Sequence, residues 1–484
     1  MEELDRRELL LRAGAGALVL AAAAPEALAM PARDPLVAPP PVSGAAGPRA
    51  LRALARTVSG PVRGPGSVRA YNARFDGRGP DAVVAPRDTR DVQAVLRWAD
   101  RYDVRLAPRS GGHSYAGYST PGEGVVVDLR RLGGVASDRA GRRALVGPGA
   151  TVIEVYERLA RAGVTVPGGS CPSVGFGGLA LGGGYGLASR ALGLTADNVR
   201  RVTVVTADGR IRRADARRDP ELLWACRGGG GGNFGVVTAF ELRTHPARTA
   251  AYFTASFPWE AADRALAAWQ AWAPETDPRL TSVMTLGANR SVAVVGQYLG
   301  DERGLRSLLG PLRSAGGAVA TGASGYAALQ LRWGNGRTTP RTTFSAKSDY
   351  VRRPLSSRGR RALLGGLERG GGVAGLENGL VILDAYGGAI NRPDADATAF
   401  VHRDERFSIQ YLAYHGADGG PSRAWLRSLK RALAPHVSGS AYQNYIDPEL
   451  EGWRRAYYGE NLARLEAAKR RYDPDGRFRF AQGV

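Results

Sequence analysis

Apolar and polar positions follow two different spacings in the first half of the chain. Residues 82–86 are a short apolar run that ends in proline, which predicts a strand. Residues 89–102 carry apolar side chains three or four positions apart, which predicts a helix. Further strands are predicted over residues 104–107, 125–129, 144–146, 200–207 and 234–243, and a second amphipathic helix over residues 151–162. Strands that alternate with helices in this way indicate an α+β or α/β domain.

The pattern changes near residue 250. From there, short segments of alternating apolar and polar residues are separated by longer stretches with helical spacing. Strands are predicted over residues 251–257, 281–286, 291–298, 380–386 and 407–414, and helices over residues 259–273, 301–314 and 459–471. This order predicts a second domain in which helices cover one face of an antiparallel sheet.

Residues 1–29 have the pattern of an export signal. Adjacent Arg6 and Arg7 precede an apolar run of small residues, and Ala27 and Ala29 supply a small-x-small cleavage site. Because paired arginines are typical of the twin-arginine route, we expect an exported protein that meets the export machinery during translocation. An amphipathic first helix and a retained apolar anchor stay open as alternatives. Proline, alanine and glycine dominate much of residues 30–59, which predicts a linker.

The chain of 484 residues is long enough for two or three domains, and its composition is globular. A net charge of +21 fits a nucleic-acid or membrane-surface partner, but Lys347, Lys430 and Lys469 are the only lysines. An excess of Ala, Gly and Arg favours compositional bias, so we expect no nucleic-acid partner. The five histidines show no ligand spacing with cysteines or acids, which predicts no metal site. Both a monomer and a homodimer remain open.

Three glycine-rich loops are the strongest chemical signal in the sequence. They span residues 109–119, 167–186 and 227–235. Glycine allows backbone amides to approach an anion and to adopt positive φ, so loops of this kind can hold a pyrophosphate. A tight turn is the alternative for any single loop. None of the three has the strand–loop–helix frame of the dinucleotide-binding fingerprint.

Two of these loops carry a side chain that can bond to a flavin. His113 lies in the first loop and Cys171 in the second. An imidazole nitrogen can add to the activated 8-methyl carbon of a flavin, and a thiolate can add at ring carbon 6. Taken singly, the alternatives are a hydrogen-bonding histidine and an inert buried cysteine. Cys226 ends an apolar run, so it is expected to be a small buried hydrophobe.

The residues around His113 and Cys171 carry a family resemblance that runs from about residue 75 to the end of the chain. The motifs are Arg109-Ser-Gly-Gly-His113-Ser-Tyr, Gly169-Ser-Cys171-Pro-Ser-Val-Gly-Phe-Gly-Gly, Gly182-Gly-Gly-Tyr-Gly186, Gly229-Gly-Gly-Gly-Asn233-Phe-Gly and Tyr442-Gln-Asn444-Tyr445-Ile-Asp447. With these motifs the chain resembles the berberine-bridge-enzyme-like FAD-linked oxidases of the vanillyl-alcohol-oxidase/p-cresol-methylhydroxylase superfamily. It is similar to bacterial oligosaccharide and aclacinomycin-type oxidoreductases.

The resemblance implies that FAD is the cofactor and that it is bound covalently twice, at His113 and at Cys171. Two bonds hold the flavin while its substrate face stays open, and the protein tunes the redox step that the flavin performs. The resemblance implies further cofactor contacts from Arg109, Ser110, Gly111, Gly112, Ser114, Ser119, Gly169, Ser170, Gly175, Gly178, Gly182, Gly186, Gly232, Gly235, Val236 and Asn444.

The resemblance also implies an acid–base partner and a route for oxygen. A hydroxyl proton has to be removed as hydride leaves the carbinol carbon, and the tail motif assigns this to Tyr445, with Tyr442 as the competing candidate. Val174 occupies the position of the family's oxygen gate, where a small β-branched residue accompanies fast reaction with dioxygen.

Three further residues are implied to line the substrate pocket. Tyr115 and Tyr386 are expected in its wall, and Gln410 matches a strand position whose side chain faces the flavin. The family member that closes a carbon–carbon bond has a glutamate base at that position. Glutamine cannot act as that base, so bridge-forming chemistry is disfavoured here.

Together these observations predict an α+β protein with an FAD-binding domain of the p-cresol-methylhydroxylase type. Residues 60–248 form its first part, residues 439–484 return to it, and residues 249–438 form a substrate domain. The expected reaction is oxidation of a hydroxyl of a sugar or glycosylated natural product, with O2 reduced to H2O2. An FAD-linked dehydrogenase or tailoring enzyme that does not use O2, and a non-catalytic basic exported binding protein of the same fold, remain alternatives.

Overall fold

The computed structural model describes residues 45–247 and 249–484. The export signal expected over residues 1–29 and the start of the expected linker lie outside these ranges. Within the ranges, no helix is both long enough and apolar enough to cross a membrane.

The first sheet is small and supplies the first glycine loop. Its strands are β1 (Val62–Arg63), β2 (Ala82–Val84), β3 (Leu106–Arg109) and β4 (Val125–Asp128), in the order β1-β2-β4-β3. Strand β4 is parallel to both β2 and β3, as expected where a helix connects consecutive strands. That helix spans Thr89–Tyr102 and begins after Asp88, whose side chain accepts hydrogen bonds from two N–H groups of the first turn. Because β3 ends at Arg109, the loop carrying His113 starts at the edge of this sheet.

A helix over Pro48–Thr57 corrects the expected linker. Pro48 stands in the first turn, where its missing N–H leaves no hydrogen bond unmade. Ala50 and Leu54 are buried, and the indole of Trp98 donates to the Ala50 carbonyl at 2.8 Å. The linker predicted over residues 30–59 therefore ends before Pro48, since the apolar side of this helix packs on the first sheet's helix.

The second sheet is antiparallel throughout. Its strands are β5 (Val135–Ser137), β6 (Arg143–Val146), β8 (Val199–Val205), β9 (Ile211–Ala214) and β10 (Val236–Arg243), in the order β5-β6-β10-β8-β9, and a separate short pair joins β7 (Val164–Thr165) to β11 (His245–Pro246). Helices in this region span Val152–Ala160, Phe176–Leu181, Ser189–Leu192, Thr195–Asn198 and Pro220–Ala225. The helix Phe176–Leu181 lies within the second glycine loop and directly follows the segment of Cys171, so it anchors the C-terminal end of that segment.

The third sheet has seven antiparallel strands and belongs to the middle of the chain. They are β12 (Thr249–Phe257), β13 (Leu280–Gly287), β14 (Val292–Tyr298), β15 (Ala318–Gly325), β16 (Phe344–Val351), β17 (Leu376–Ala385) and β18 (Phe407–His415), in the order β15-β12-β14-β13-β17-β18-β16. Helices here span Ala262–Trp272, Glu302–Leu308, Gly310–Ser314, Tyr326–Trp333, Ser357–Gly370 and Gly420–Leu433. The predicted α+β class with a helix-covered antiparallel sheet is confirmed.

Side-chain alternation gives the third sheet two different faces. On β18, Ile409 and Tyr411 pack into the helix-covered core, whereas Gln410 and Leu412 face the opposite way into a cavity. On β17, Leu383 belongs to the helix side and Asp384 to the cavity side. One face of the sheet is therefore a hydrophobic core, and the other is a wall of the site described below.

The end of the chain returns to the first two sheets. Helices over Trp453–Tyr458 and Leu462–Tyr472 pack beside them, and the Lys469 amine donates to the Asn233 carbonyl at 2.7 Å. The backbone N–H of Val484 donates to the Asn233 side-chain oxygen at 3.0 Å. The third glycine loop is thus fixed by the tail of the chain.

Arg190 joins the two halves of the molecule. It lies on the helix Ser189–Leu192, and its buried guanidinium donates to main-chain carbonyls of the third-sheet region at 2.5 to 3.3 Å. The acceptors are the carbonyls of Pro274, Thr276, Asp277, Leu280 and Tyr386. A planar group with five N–H donors suits this arrangement, which a lysine amine cannot reproduce.

All three lysines are held in polar contacts inside the fold. Lys347 bonds to Asp447 at 3.0 Å and Glu449 at 2.9 Å, which ties β16 to the tail of the chain. Lys430 donates to the Ser348 carbonyl at 2.7 Å. The exposed positive charge of the described chain is therefore carried by arginine.

Candidate active site

A cavity of about 320 Å³ lies between the glycine loops and the free face of the third sheet. The loops of His113 and Cys171 form one side, and Gln410 and Asp384 of the sheet form another. Tyr445, from the tail of the chain, completes the wall. Residues from three distant parts of the sequence thus meet around one space, which is the arrangement expected of a cofactor and substrate site.

His113 is held in a fixed orientation at the cavity wall. Its ring stacks on Tyr71 with centroids 3.8 Å apart, and its Nε2 lies 3.0 Å from the Ser173 hydroxyl oxygen. Burial, with a smaller effect of the Arg109 guanidinium, lowers the pKa of His113 to about 3. The imidazole is therefore neutral at physiological pH, which leaves one ring nitrogen with a free lone pair.

Cys171 is a free thiol on the same wall. Its sulfur lies 3.1 Å from the hydroxyl of Thr339, in the segment that leads into β16. Burial raises the pKa of this thiol, and hydrogen bonds from Thr339 and Ser173 oppose the rise. Cys226 is fully buried, and burial raises the pKa of its thiol to about 12, so the prediction that it is a small buried hydrophobe is confirmed.

The first two glycine loops cross at van der Waals distance. A Cβ on Gly175 would overlap the side chain of Ser110, and a Cβ on Gly111 would lie 2.9 Å from the Ser173 carbonyl oxygen. Gly112 has φ of +75°, a conformation that glycine adopts without strain. Glycine at these positions therefore brings His113 and Cys171 onto a single wall.

Most of the predicted cofactor residues line this cavity. They are Ser110, Gly111, Gly112, His113, Ser114, Ser119, Gly169, Ser170, Cys171, Gly175, Gly178, Gly186, Gly232, Gly235 and Asn444. A side chain at Gly178 would meet no atom within 4 Å, so it would project into the open cavity. The loops therefore leave room for an extended ligand.

Four predicted residues lie behind the wall. Arg109 supports the first loop from below, with Nη2 donating to the Arg69 carbonyl at 3.1 Å and Nη1 3.8 Å from Asp128. Gly182 packs under the side chain of Asn444, and Val236 belongs to the core around the first sheet.

The fourth, Tyr386, was expected in the pocket wall, and the structure corrects this. Its ring stacks on Tyr185 at 5.3 Å and its hydroxyl bonds to that of Tyr350 at 3.0 Å. Tyr386 precedes a glycine pair at the end of β17, where the chain turns away from the cavity. Tyr185 occupies the wall in its place.

The two candidate bases have different surroundings. The hydroxyl of Tyr442 accepts hydrogen bonds from the Gly184 N–H at 2.8 Å and the Asn444 amide at 2.9 Å. The hydroxyl of Tyr445 has no hydrogen-bond partner among the described residues, and its ring lines the cavity. Both lone pairs of the Tyr442 oxygen are therefore engaged, which favours Tyr445 as the residue that meets a substrate hydroxyl.

Tyr115, Gln410 and Val174 all line the cavity. The Gln410 amide donates to the Tyr115 hydroxyl at 2.7 Å, and the Tyr115 ring stacks on Tyr445 at 5.6 Å. Gln410 therefore fixes Tyr115, which in turn supports Tyr445. Val174 is one turn beyond Cys171, with its N–H donating to the Cys171 carbonyl at 3.3 Å.

Asp384 is a site residue that sequence reasoning missed. It ends the apolar run Leu380-Val-Ile-Leu-Asp384, accepts a hydrogen bond from Ser408 at 3.2 Å and lines the cavity. Burial raises the pKa of this carboxyl to about 7. A single acid in an otherwise apolar strand was the available signal, because a buried charge needs a functional or structural reason. Tyr71, Ser173 and Thr339 were also missed.

Unpartnered polar atoms show that the cavity suits a polar, anionic ligand. Arg105 Nε and Ser119 Oγ are buried without a hydrogen-bond partner among the described residues, and both residues line the cavity. Buried polar groups are rarely left in this state unless a ligand or water completes them. Arg105 and Arg479 add positive charge to the wall. The residues present therefore fit the pyrophosphate and ribityl groups of FAD.

Comparison with known proteins also points to an FAD-binding protein. A family profile for an FAD binding domain matches residues 80–215, and one described as berberine and berberine like matches residues 441–484. The FAD-linked oxidoreductase YgaK of Bacillus subtilis (strain 168) is 34% identical over 420 residues, which cover 84% of this chain and 91% of the relative.

Solved structures give the same result. Wild-type BBE-like 1 of Physcomitrella patens has a TM-score of 0.84 at 29% identity, over 90% of this chain and 98% of that chain. Glucooligosaccharide oxidase from Acremonium strictum, described with a 6-S-cysteinyl, 8α-N1-histidyl FAD, has a TM-score of 0.83 at 26% identity, over 90% of this chain and 99% of that chain. The chain belongs to the berberine bridge enzyme-like family and is an FAD-linked oxidoreductase.

Proposed function

We propose that this protein is an oxidase that binds FAD covalently through both His113 and Cys171. Its substrate is a hydroxyl group of a sugar or of a glycosylated natural product, and dioxygen is the acceptor, reduced to hydrogen peroxide. The observation that carries the proposal is the meeting of His113 and Cys171 on one wall of the cavity that Tyr445 and Asp384 also line. The similarity to a glucooligosaccharide oxidase described with both bonds supports it.

Arg105, Ser119 and the glycine loops would hold the cofactor, and the flavin, when bound, accepts the hydride from the carbinol carbon. Tyr445 faces the cavity without a hydrogen-bond partner among the described residues, so it is free to receive a substrate hydroxyl. Burial raises the pKa of Tyr445 well above that of free tyrosine, and the Asp384 carboxylate adds to the rise. Tyr445 is therefore a neutral phenol that must pass a proton on.

Asp384 is the group that can take this proton. With its pKa raised to about 7 by burial, it changes charge near neutral pH, where a proton acceptor is most effective. We assign Tyr445 as the residue that receives the substrate hydroxyl and Asp384, on the same cavity wall, as the carboxylate that takes the proton through a bridging water, with Tyr115 and Gln410 holding the Tyr445 ring. A cavity enclosed by the third sheet keeps bulk water from competing with this transfer.

Three measurements test the proposal. Acid precipitation of the purified protein should leave the yellow colour in the pellet; flavin released into the supernatant would overturn the covalent bonds.

Peroxide release with cello-, malto- or chito-oligosaccharides supports a sugar oxidase. No release with these sugars, together with activity on a glycosylated polyketide, supports a tailoring oxidase. Substrate-dependent reduction of a dye without peroxide would replace the oxidase by a dehydrogenase. A flavin-loaded Tyr445→Phe variant is the control, since it should bind cofactor and release almost no peroxide.

We also propose that the protein is exported through a twin-arginine signal at residues 1–29. The adjacent Arg6 and Arg7 support this. Cell fractionation of the full chain beside an Arg6→Lys, Arg7→Lys double variant tests it, because the variant should remain in the cytoplasm. Equal distribution of the two proteins would contradict the route.

A further inference from the structure

The cavity face of the third sheet is apolar around the carboxylate that it presents. Val283 of β13 stands directly across from Asp384 of β17, and Ile382 lies two residues before Asp384 on the same face of the strand. Leu187, just before the helix Ser189–Leu192, lines the cavity together with both. All three apolar side chains are buried and belong to one apolar cluster. Asp384 is therefore bordered by hydrocarbon on this wall.

The polar groups of the same wall are largely committed to other protein groups. The Gln410 side-chain amide donates to the Tyr115 hydroxyl at 2.7 Å. The Asp384 carboxylate accepts from the Ser408 hydroxyl at 3.2 Å. On the sheet, the groups that remain for a second substrate hydroxyl are the Gln410 carbonyl oxygen and the Tyr414 hydroxyl. The wall thus provides well for one reacting hydroxyl and poorly for a ring that carries several.

A fully hydroxylated sugar ring would bind weakly against such a surface. Each hydroxyl that leaves water without finding a new partner weakens binding by about tenfold. An apolar group in the same place removes its own surface and that of the wall from water, which strengthens binding in proportion to the area buried. The wall therefore selects between substrates by the polarity of the atoms next to the reacting hydroxyl.

We infer that Val283 and Ile382 are specificity-determining residues, and that the substrate is an alcohol whose carbinol carbon is joined to apolar carbon. The reacting hydroxyl meets Tyr445 and Asp384, while the adjoining apolar group lies against Val283, Ile382 and Leu187. This inference rests on the proposed oxidation of a hydroxyl, and within it favours a glycosylated natural product over an oligosaccharide. The apolar carbon belongs to the aglycone or to a sugar ring that lacks neighbouring hydroxyls.

The redox balance is that of the proposed function. The carbinol loses its C–H hydrogen as a hydride, which the flavin accepts when bound, and its O–H hydrogen as a proton, which Asp384 takes. The C–O bond becomes a carbonyl, and dioxygen takes the two electrons and two protons as hydrogen peroxide. The wall changes none of these steps, because it acts only on which alcohol is held in place.

The first experiment compares three alcohols with the flavin-loaded full chain. They are cellobiose, cinnamyl alcohol and the methyl glycoside of a dideoxyhexose, and the second-order rate constant of anaerobic flavin reduction is measured for each. One of the two apolar probes should be faster than cellobiose by about tenfold or more, the loss expected for a single unpartnered hydroxyl. A preference for cinnamyl alcohol assigns the apolar carbon to the aglycone, and a preference for the dideoxy glycoside assigns it to the sugar.

The second experiment changes the polarity of the wall. Val283→Thr and Ile382→Thr each place a hydroxyl on the wall, and should lower the ratio of the rate with the preferred apolar probe to the rate with cellobiose about tenfold. Ile382→Val has the size of threonine without the hydroxyl, so it should change this ratio less than Ile382→Thr. Val295→Thr is the control, because Val295 pairs with Val283 in the same apolar cluster but lies outside the cavity lining.

A ratio of two substrates in one preparation does not change when part of a variant is unfolded, so it reports the wall itself. If cellobiose is the fastest substrate, or if Val283→Thr and Ile382→Thr leave the ratio as it is in the unaltered protein, the role of the wall is overturned while the proposed oxidase stands. If none of the three alcohols reduces the flavin, oxidation of a hydroxyl fails, and the inference about the wall fails with it.

Discussion

The ring of Tyr71 stacks on the imidazole of His113, with centroids 3.8 Å apart and planes inclined by 15°. The Tyr71 N–H also donates to the Gly112 carbonyl at 2.9 Å, so the same residue fixes both the loop and the ring that it carries.

Tyr71→Ala should therefore reduce the fraction of molecules with a histidyl–flavin bond, because the freed imidazole samples other rotamers. Ring stacking of this kind contributes about 0.5–1.5 kcal/mol, which corresponds to a reduction of roughly twofold to tenfold. Quantification of the flavopeptide containing His113 measures it. Tyr71→Phe keeps the stacking ring and should behave like the unaltered protein; equal losses in both variants would assign the effect to the hydroxyl.

The Tyr445→Phe variant should lose activity, whereas the Tyr442→Phe variant should lose stability. Removing the Tyr445 hydroxyl removes the first proton acceptor, and the rate of flavin reduction should fall by about 10² to 10⁴. Removing the Tyr442 hydroxyl leaves the Gly184 N–H and the Asn444 amide without an acceptor, so stability should fall by about 1–3 kcal/mol. Anaerobic stopped-flow reduction and thermal unfolding measure the two effects. A larger kinetic loss in the Tyr442 variant would reverse the assignment.

The rate of flavin reduction should depend on pH through the titration of the Asp384 carboxyl. The acceptor form is the carboxylate, so the rate should rise with pH through the raised pKa of about 7. Asp384→Asn should abolish this limb and slow the reaction at every pH. Ser408→Ala should move the midpoint upward, because the Ser408 hydroxyl donates to the carboxylate and lowers its pKa. A limb that survives in Asp384→Asn would assign the titration to another group.

Arg190→Met should destabilise the protein by about 3 kcal/mol or more, since five main-chain carbonyls lose a charged donor in a buried setting. Arg190→Lys should recover only part of this loss, as one amine replaces a planar group. Denaturant unfolding measures both. Arg353→Lys, at an exposed position, is the control and should stay within about 0.5 kcal/mol.

Val174→Leu should slow reoxidation of the reduced flavin by air about tenfold, a barrier increase of about 1.4 kcal/mol. Val174 lines the cavity three residues after Cys171, and in the oxygen-gate role that the resemblance implies a longer side chain would narrow the path of dioxygen. Val174→Ala should leave reoxidation as fast as in the unaltered protein. Equal rates in Val174→Leu and the unaltered protein would remove Val174 from the oxygen route.

Local signals in the sequence predicted several elements well. The helix predicted over residues 89–102 matches Thr89–Tyr102, because Asp88 provides an N-cap and the apolar spacing is regular. Strand β15, which spans Ala318–Gly325, was not predicted, since its alanines and glycines carry little hydrophobic contrast and it lies at the sheet edge. The helix Pro48–Thr57 differs from the predicted linker because its proline and alanine content masks the single buried leucine, Leu54.

The residues of the candidate site also fall into those that local sequence predicts and those that it does not. His113 and Cys171 stand in motifs that are local in sequence, and so they were predicted. Ser173 stands in the Cys171 motif and Asp384 is a lone acid in an apolar strand, but neither signal names a role, and Thr339 carries no local signal at all; the roles of all three come from the residues that face them in the fold. Asp384 and Ser408 meet only because β17 and β18 pair in a particular register, which no short segment of sequence specifies.

The hydrogen bonding of all three lysines affects how the protein can be conjugated. Lys347, Lys430 and Lys469 are the only side-chain amines, and each bonds to carboxylates or carbonyls within the fold. Reagents that acylate amines, and supports that couple through them, meet one buried and two half-buried side-chain amines. Conjugation or immobilisation of the folded enzyme through carboxyl groups should therefore be more efficient than coupling through lysine amines.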